Sequence, residues 1–267
     1  ERGAIAIVSD LAPPPPPATL PPAWVQVGDV SEAMSLMADR FFRHPSRALT
    51  LIGVTGTNGK TTTTYFLESI VKASGCVPGV VGTVDYRLAG KKVSKAANTT
   101  PISLELQRLL AHFRDGGVTH ACLEVSSHAL ALKRVEDVDF DAAIFTNLTR
   151  DHLDFHGTTE GYFRAKCHLF ELLAKAGNSK KKKVAAINAD DPHATSLKRS
   201  CIGCEVIPFG FSEKADFRAV GLKTTLTGTA FEILWKGKRL KTDIQLVGEH
   251  NVYNALGAAA AALGLGM

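Results

Sequence analysis

The stretch "GVTGTNGKTTTTY" (53–65) places three glycines, one lysine and a run of threonines directly after an apolar segment. Glycine–lysine–threonine is the chemistry of a phosphate cradle. Backbone N–H groups of a glycine loop can point at phosphate oxygens, and the N-terminus of a following helix adds positive potential. Gly56 and Gly59 let the backbone bend and approach closely, with Thr57 and Asn58 between them and Thr62 just beyond. Lys60 is suited to neutralise β/γ-phosphate charge, and the Thr61 hydroxyl to ligate Mg²⁺. The spacing is G-x-x-G-x-x-G-K-T. A strict phosphate loop has glycine where Val54 stands, so this variant points to a narrower set of ATP-using enzymes.

Other polar residues are placed to serve the same chemistry. Glu124, in "LEVSSHAL" (123–130), closes an apolar segment and could hold a metal ion on the phosphates. Its alternative is a surface or capping glutamate. "FTNLTRDHLDFHG" (145–157) carries Asp151, His152, Asp154 and His156. His152 is a candidate ligand for a second metal, or simply a hydrogen-bonded loop histidine. Lys166, in "RAKCHLF" (164–170), reads from composition as a surface lysine. "NTTP" (98–101) reads as a polar turn that could equally bind a polar substrate. Asn251 and Asn254 stand at i and i+3, where two amides could meet an adenine edge; helix capping by Asn251 is the alternative.

These residues need a scaffold. Residues 49–54 are an apolar run of buried-strand type, and 60–73 form the helix after the loop. Further strands are expected at 80–82, 121–125, 140–146 and 184–188, with helices at 103–115, 159–174 and 192–199. Strands alternating with helices imply an α/β fold with a largely parallel, phosphate-loop type sheet covered on both faces. Residues 206–245 alternate apolar and polar positions around the turn Lys236-Gly237, which predicts a small antiparallel element. An alanine-rich helix at 251–263 follows. Upstream, short strands are expected at 4–8 and 25–27, and a proline-rich linker at 10–23. Ser31 is expected to cap a helix reaching residue 42, with Ala33, Leu36, Met37 and Phe41 on one face.

Composition removes other classes. The chain has 267 residues, 45% of them apolar, a net charge of +5, and a basic run at 180–183 that reads as a solvated loop. There is no apolar run of membrane-spanning length. The five cysteines are scattered, and the lone Cys201-x-x-Cys204 reads as a turn in a reducing compartment.

Taken together, "GVTGTNGKTTTT", "NTTP", "EVSSHAL", "FTNLTRDHLDFHG", "AKCHLF", "INADD" and "GEHNVYNALGA" resemble the Mur ligases. Within that family they are similar to the UDP-N-acetylmuramoyl-tripeptide synthetases (MurE). The resemblance is dense over 53–265 and looser over 1–48. It implies three domains. Residues 1–48 match the tail of the UDP-substrate domain and 49–267 the central ATP-binding domain. The acceptor domain would lie beyond residue 267, so the stretch is expected not to complete ligation alone.

The implied reaction joins meso-diaminopimelate or L-lysine to UDP-N-acetylmuramoyl-L-Ala-D-Glu, through an ATP-derived acyl phosphate, for peptidoglycan. ATP and Mg²⁺ are the implied cofactors, the cytoplasm the implied compartment (a plastid in a plant), and a monomer is expected. Neither membrane nor nucleic acid is expected as a partner. By this resemblance Lys60, Glu124, His152 and Lys166 are catalytic. Thr61 and Glu124 hold Mg²⁺ on ATP, and His152 holds a second ion. Lys166 matches a lysine carbamylated by CO₂, which turns a cation into an anionic ligand. Asn98, Thr99, Thr100, Ser126 and Arg134 match contacts to the muramoyl peptide, and Asn251 and Asn254 fall where adenine is held. Leu132 departs from the family, standing where some members carry a glutamine. A second reading is a catalytically silent plastid relative that partners a transcription complex. A folylpolyglutamate synthetase is disfavoured, because Thr61 and its threonine run replace Gly-Lys-Gly-Ser.

Overall fold

The computed structural model describes residues 4–13, 23–175 and 178–267. Most of the expected proline-rich linker lies outside them.

The N-terminal unit has β1 (Ala6–Ser9) and β2 (Ala23–Gln26), paired in parallel, and the helix α1 (Val30–Phe41). Asp29, not Ser31, caps α1: its side chain accepts from Glu32 N–H at 2.9 Å. The expected apolar face is also wrong. Ser35, Ala38 and Asp39 are buried, whereas Leu36, Met37 and Phe41 are exposed. Polar contacts dock α1: Ser35 Oγ accepts from Asp137 N–H, and the Lys133 ammonium pairs with Asp29 and Glu32.

The rest of the chain builds one sheet. Its strands begin with β3 (Thr50–Thr55), which leads through the glycine loop into α2 (Lys60–Ala73). β4 (Pro78–Val81), β5 (Asp85–Leu88) and β6 (Lys91–Lys95) precede α3 (Ser103–Asp115). β7 (His120–Glu124) then leads to the short α4 (Ser127–Ala131), and β8 (Ala142–Phe145) to the short α5 (Leu153–His156) and long α6 (Thr159–Ala174). β9 (Val184–Asn188), α7 (Ala194–Leu197), β10 (Glu205–Gly210), β11 (Phe217–Thr224), β12 (Thr229–Trp235), β13 (Lys238–Ile244) and α8 (Glu249–Leu265) complete the chain.

The sheet has eleven strands in the order β13-β12-β11-β10-β9-β8-β3-β7-β4-β5-β6. Pairing is parallel from β11 to β4 and antiparallel at both margins. The antiparallel element expected over 206–245 is therefore an extension of the main sheet, and β10 within that range is parallel. The β5–β6 hairpin, α4 and α5 were not anticipated, because each element is only four or five residues long.

Side chains of β3 alternate between the sheet's two faces. Leu51 joins the cluster containing Leu110, Phe140, Leu169 and Phe170, beneath α3 and α6. Ile52 and Val54 join the opposite cluster with Leu67, Val252 and Leu256, beneath α2 and α8. Full burial of such a side chain contributes about 1.5–3 kcal/mol. Gly53 faces the first cluster, where a Cβ would lie 3.0 Å from Leu169 Cδ1 and 3.0 Å from Phe140 Cε1. α6 packs on β3 and β8, and α2 packs on α8. β3 lies between β7 and β8, so the segments leaving the C-terminal ends of all three converge at one edge, where ligands collect in such folds.

Candidate active site

The glycine loop lies at that edge and is stitched to the segment after β8. Thr57 N–H donates to Asn147 O at 2.9 Å, and Asn58 N–H to Asn147 Oδ1 at 3.0 Å. Thr146 Oγ1 donates to Asn58 O at 2.6 Å. Gly56 and Gly59 have φ of +151° and +89°. A Cβ at Gly56 would collide with Thr146 Oγ1, and one at Gly59 with Asn254 Oδ1. Both glycines are thus required by conformation and by close approach. Among the described residues no side chain caps α2, which leaves its first N–H groups for a ligand. Lys60 Nζ donates to Gly56 O and Thr57 O at 2.9 Å each. Burial lowers the Lys60 pKa, opposed by the charges of Glu124 and Asp151.

Glu124 is 1% exposed, which overturns the surface reading. Its carboxylate accepts from Thr61 Oγ1 at 2.9 Å, from Thr83 N–H at 2.9 Å and from Thr83 Oγ1 at 3.0 Å. The Thr100 hydroxyl donates to Glu124 O at 2.8 Å and accepts from Ser126 N–H at 3.1 Å. Ser126 Oγ caps α4 by accepting from Ala129 N–H. Arg134 Nη1 donates to Thr100 O at 2.9 Å. Thr99 Oγ1 lies 3.1 Å from Thr83 Oγ1, and Asn98 O accepts from Tyr86 OH at 3.0 Å. The structure therefore gathers 98–100, Ser126 and Arg134 beside Glu124. Asn98 also lines a second cleft, of about 630 Å³, between β6 and α3. Leu132 is 40% exposed, one turn from this group.

Lys166 is 1% exposed, so the surface reading fails here too. Its Nζ lies 4.2 Å from the centroid of the Tyr162 ring. Burial, reinforced by the charge of Lys60, holds its pKa well below the usual lysine range; Asp151 opposes this. His152 adopts φ +51° ahead of α5 and stays exposed, with Nε2 3.5 Å from Asp151 Oδ2. Its ring lies 4.9 Å from that of His128 and 5.9 Å from Tyr162. No hydrogen bond joins His152 to Thr61 or Glu124 among the described residues; it belongs to the Lys166 side of the site.

Beside the loop is a cleft of about 680 Å³, lined by Asn58, Gly59, Thr62, Asn188, Asp190, Tyr253 and both asparagines of α8. Its size suits a small organic ligand. α8 begins at Glu249 behind Gly248, so Asn251 is not its cap; Asn251 Nδ2 donates to Val247 O at 2.9 Å. Asn254 Nδ2 lies 3.5 Å from Asn251 Oδ1, which confirms their shared face.

Thr83, Tyr162 and Asn147 were not anticipated as site residues. Asn147 lies inside the stretch 145–157 and Tyr162 just ahead of 164–170, whereas Thr83 belongs to no motif. The donor set fits a hard divalent cation: a hydroxyl and a carboxylate oxygen adjoin beneath a cationic phosphate loop. No cluster of three His, Cys, Asp or Glu side chains with metal-binding spacing occurs among the described residues. No helix among them is long and apolar enough to cross a membrane.

A model of the Mur ligase middle domain matches residues 54–262. The UDP-N-acetylmuramoyl-L-alanyl-D-glutamate–2,6-diaminopimelate ligase of Halalkalibacterium halodurans is 45% identical over 98% of this chain and 52% of its own length. The same-named ligase of Solibacter usitatus is 42% identical over 100% of this chain and 52% of its own. The chain thus spans about half the length of the curated relatives it matches. A solved structure of a ligase of that name superposes with TM-score 0.83 at 30% identity, covering 99% of this chain and 52% of that one. A Mycobacterium tuberculosis folylpolyglutamate synthase solved with ADP and AMPPCP shares the fold, at TM-score 0.71 and 18% identity over 87% of this chain and 58% of its own. The relatives give no support to a silent transcription partner.

Proposed function

Because the chain belongs to the Mur ligase family, we propose that it is the nucleotide- and acid-binding core of an ATP-dependent ligase. By analogy with its relatives' names, the ligase joins 2,6-diaminopimelate to UDP-N-acetylmuramoyl-L-alanyl-D-glutamate, a step of peptidoglycan synthesis in the cytoplasm. Residues 49–267 form the ATP-binding unit, and 1–48 the C-terminal part of the unit that holds the UDP substrate. The acceptor is held by sequence corresponding to the relatives' other half. The 267 residues are accordingly expected to bind nucleotide.

A carboxylate is a poor acceptor for an amine, and transfer of phosphate to it creates a leaving group. Two anions must then approach one another, which demands charge cancellation and alignment. The loop N–H groups and Lys60 bind the β/γ-phosphates. In doing so Lys60 exchanges two backbone carbonyl partners for phosphate oxygens. The cleft at Asn251 and Asn254 takes the adenine. The turn 98–100, Ser126 and Arg134 orient the substrate acid beside Glu124. Thr61 and Glu124 would hold one Mg²⁺, with His152 and a carbamylated Lys166 for a second; such ions supply positive charge between the phosphates and the acid. Lys166 suits carbamylation because its burial favours the neutral amine, the form that adds CO₂.

The observation that carries this reading is the contact of Thr61 Oγ1 with Glu124 Oε2 at 2.9 Å, which joins the phosphate loop to the adjacent strand end. The test is a titration of the chain with a fluorescent adenine nucleotide. Binding is expected to require Mg²⁺ and to weaken about 10–100-fold in Lys60→Ala, the loss of a charge-assisted contact. Equal binding by Lys60→Ala would reject the reading.

A further inference from the structure

Thr83 stands just after β4, between the loop side and the substrate side of the site. Its N–H engages one oxygen of Glu124 and its hydroxyl the other, at 2.9 and 3.0 Å. The same hydroxyl lies 3.1 Å from Thr99 Oγ1. Gly82 makes this approach possible, because a Cβ there would run into Glu124 Oε1. A hydroxyl has one proton to give and lone pairs to receive. The order Thr99 to Thr83 to Glu124 therefore satisfies all three groups at once.

We propose that Thr83 is a positioning residue. It aims the Glu124 carboxylate at Thr61 and ties that carboxylate, through Thr99, to the turn that receives the acid substrate. The inference rests on the magnesium–nucleotide reading above and deepens it. Thr61 can offer a lone pair to a cation while its proton stays on Glu124 Oε2, provided the carboxylate holds its place. The two Thr83 donors, one backbone and one side-chain, hold that carboxylate from its other side, in a residue that is 1% exposed. Their geometry differs for the two oxygens, so they fix the carboxylate plane as well as its position. Partners of this kind, one step removed from the ion, set metal affinity.

The test titrates Mg²⁺ against a fluorescent adenine nucleotide on the 267-residue chain and on Thr83→Val, Thr83→Ser and Gly82→Ala. Thr83→Val keeps shape and N–H but removes the hydroxyl. It is expected to need about tenfold more Mg²⁺ for half-maximal binding, the usual scale for loss of such a partner. In excess chelator neither chain is expected to bind. Thr83→Ser stays close to the parent, and Gly82→Ala, which presses on Oε1, behaves like the valine variant. Thr83 is exposed, so the valine variant is expected to fold, which a thermal melt without ligand verifies. A parent-like Mg²⁺ requirement in Thr83→Val, or a serine variant as impaired as the valine, would overturn the proposal. A parent chain that binds no nucleotide at any Mg²⁺ concentration would remove the underlying reading as well.

Discussion

At the scale of single residues, Lys166 shows how function and stability pull apart. Its amine is buried against Tyr162, with no carboxylate partner in contact among the described residues. A base whose folded pKa lies below its unfolded value stabilises the fold fully only above the unfolded pKa. That stability is lost as pH falls toward the depressed folded value. At neutral pH the residue is therefore a burden on folding. Lys166→Met should raise unfolding stability at pH 7.5 by about 1–4 kcal/mol, the scale for replacing buried charge with apolar volume. It should also flatten the gain in stability between neutral and alkaline pH. Urea denaturation at both pH values measures this, and a destabilised variant would contradict it. The same variant should lose the carbamate signal that ¹³C-bicarbonate is expected to give in NMR of the parent. None of this was legible in composition: a lysine between alanine and cysteine reads as solvated, and only the family resemblance singled it out.

At the scale of elements, the phosphate-loop helix is clamped to the β5–β6 hairpin. Arg87 on β5 pairs with Glu68 of α2 at 2.8 Å and with Asp85 at 2.6 Å, and its guanidinium lies 4.2 Å from the centroid of the Tyr65 ring. Glu68 also meets Lys72 at 3.3 Å, a lesser and more exposed partner. Arg87→Met strands two carboxylates and should destabilise the fold by about 3–5 kcal/mol, whereas adding Glu68→Leu should recover part of that loss. Urea unfolding of the parent and the two variants decides it; a double variant worse than the single would argue against a shared network. The helices α2, α3 and α6 and the strand β9 were read to the residue, because long periodic segments and buried apolar runs carry their own signal. The hairpin was not, since its strands are charged and one of them, β6, is wholly exposed. α1 was placed but rotated, because it buries Ser35, Ala38 and Asp39 and leaves Leu36, Met37 and Phe41 outside. Sequence patterning assumes the reverse.

At the scale of the whole molecule, α2 packs on α8, so the phosphate loop and the asparagine pair belong to one packed layer. Nucleotide bound across them should stabilise the unit as a whole. Saturation at 100 times the dissociation constant adds about 2.7 kcal/mol, which raises the melting temperature by about 5–11 °C for a domain of this size. Nucleotide plus Mg²⁺ should produce that shift in the parent and little of it in Lys60→Ala; identical shifts would place the binding elsewhere. The position of the site at one sheet edge was legible from strand–loop–helix order alone. The gathering of 98–100 with Arg134 was not, because it depends on how β4 and β7 lie side by side. Sheet and helix layer also meet at Gly53, where α6 rests against bare backbone. The absent methyl works as a shim of zero thickness, setting how low the helix rides and so how far its amine reaches. Adding it would lift the lysine from beneath, which makes Gly53 a remote adjusting screw for chemistry it never touches.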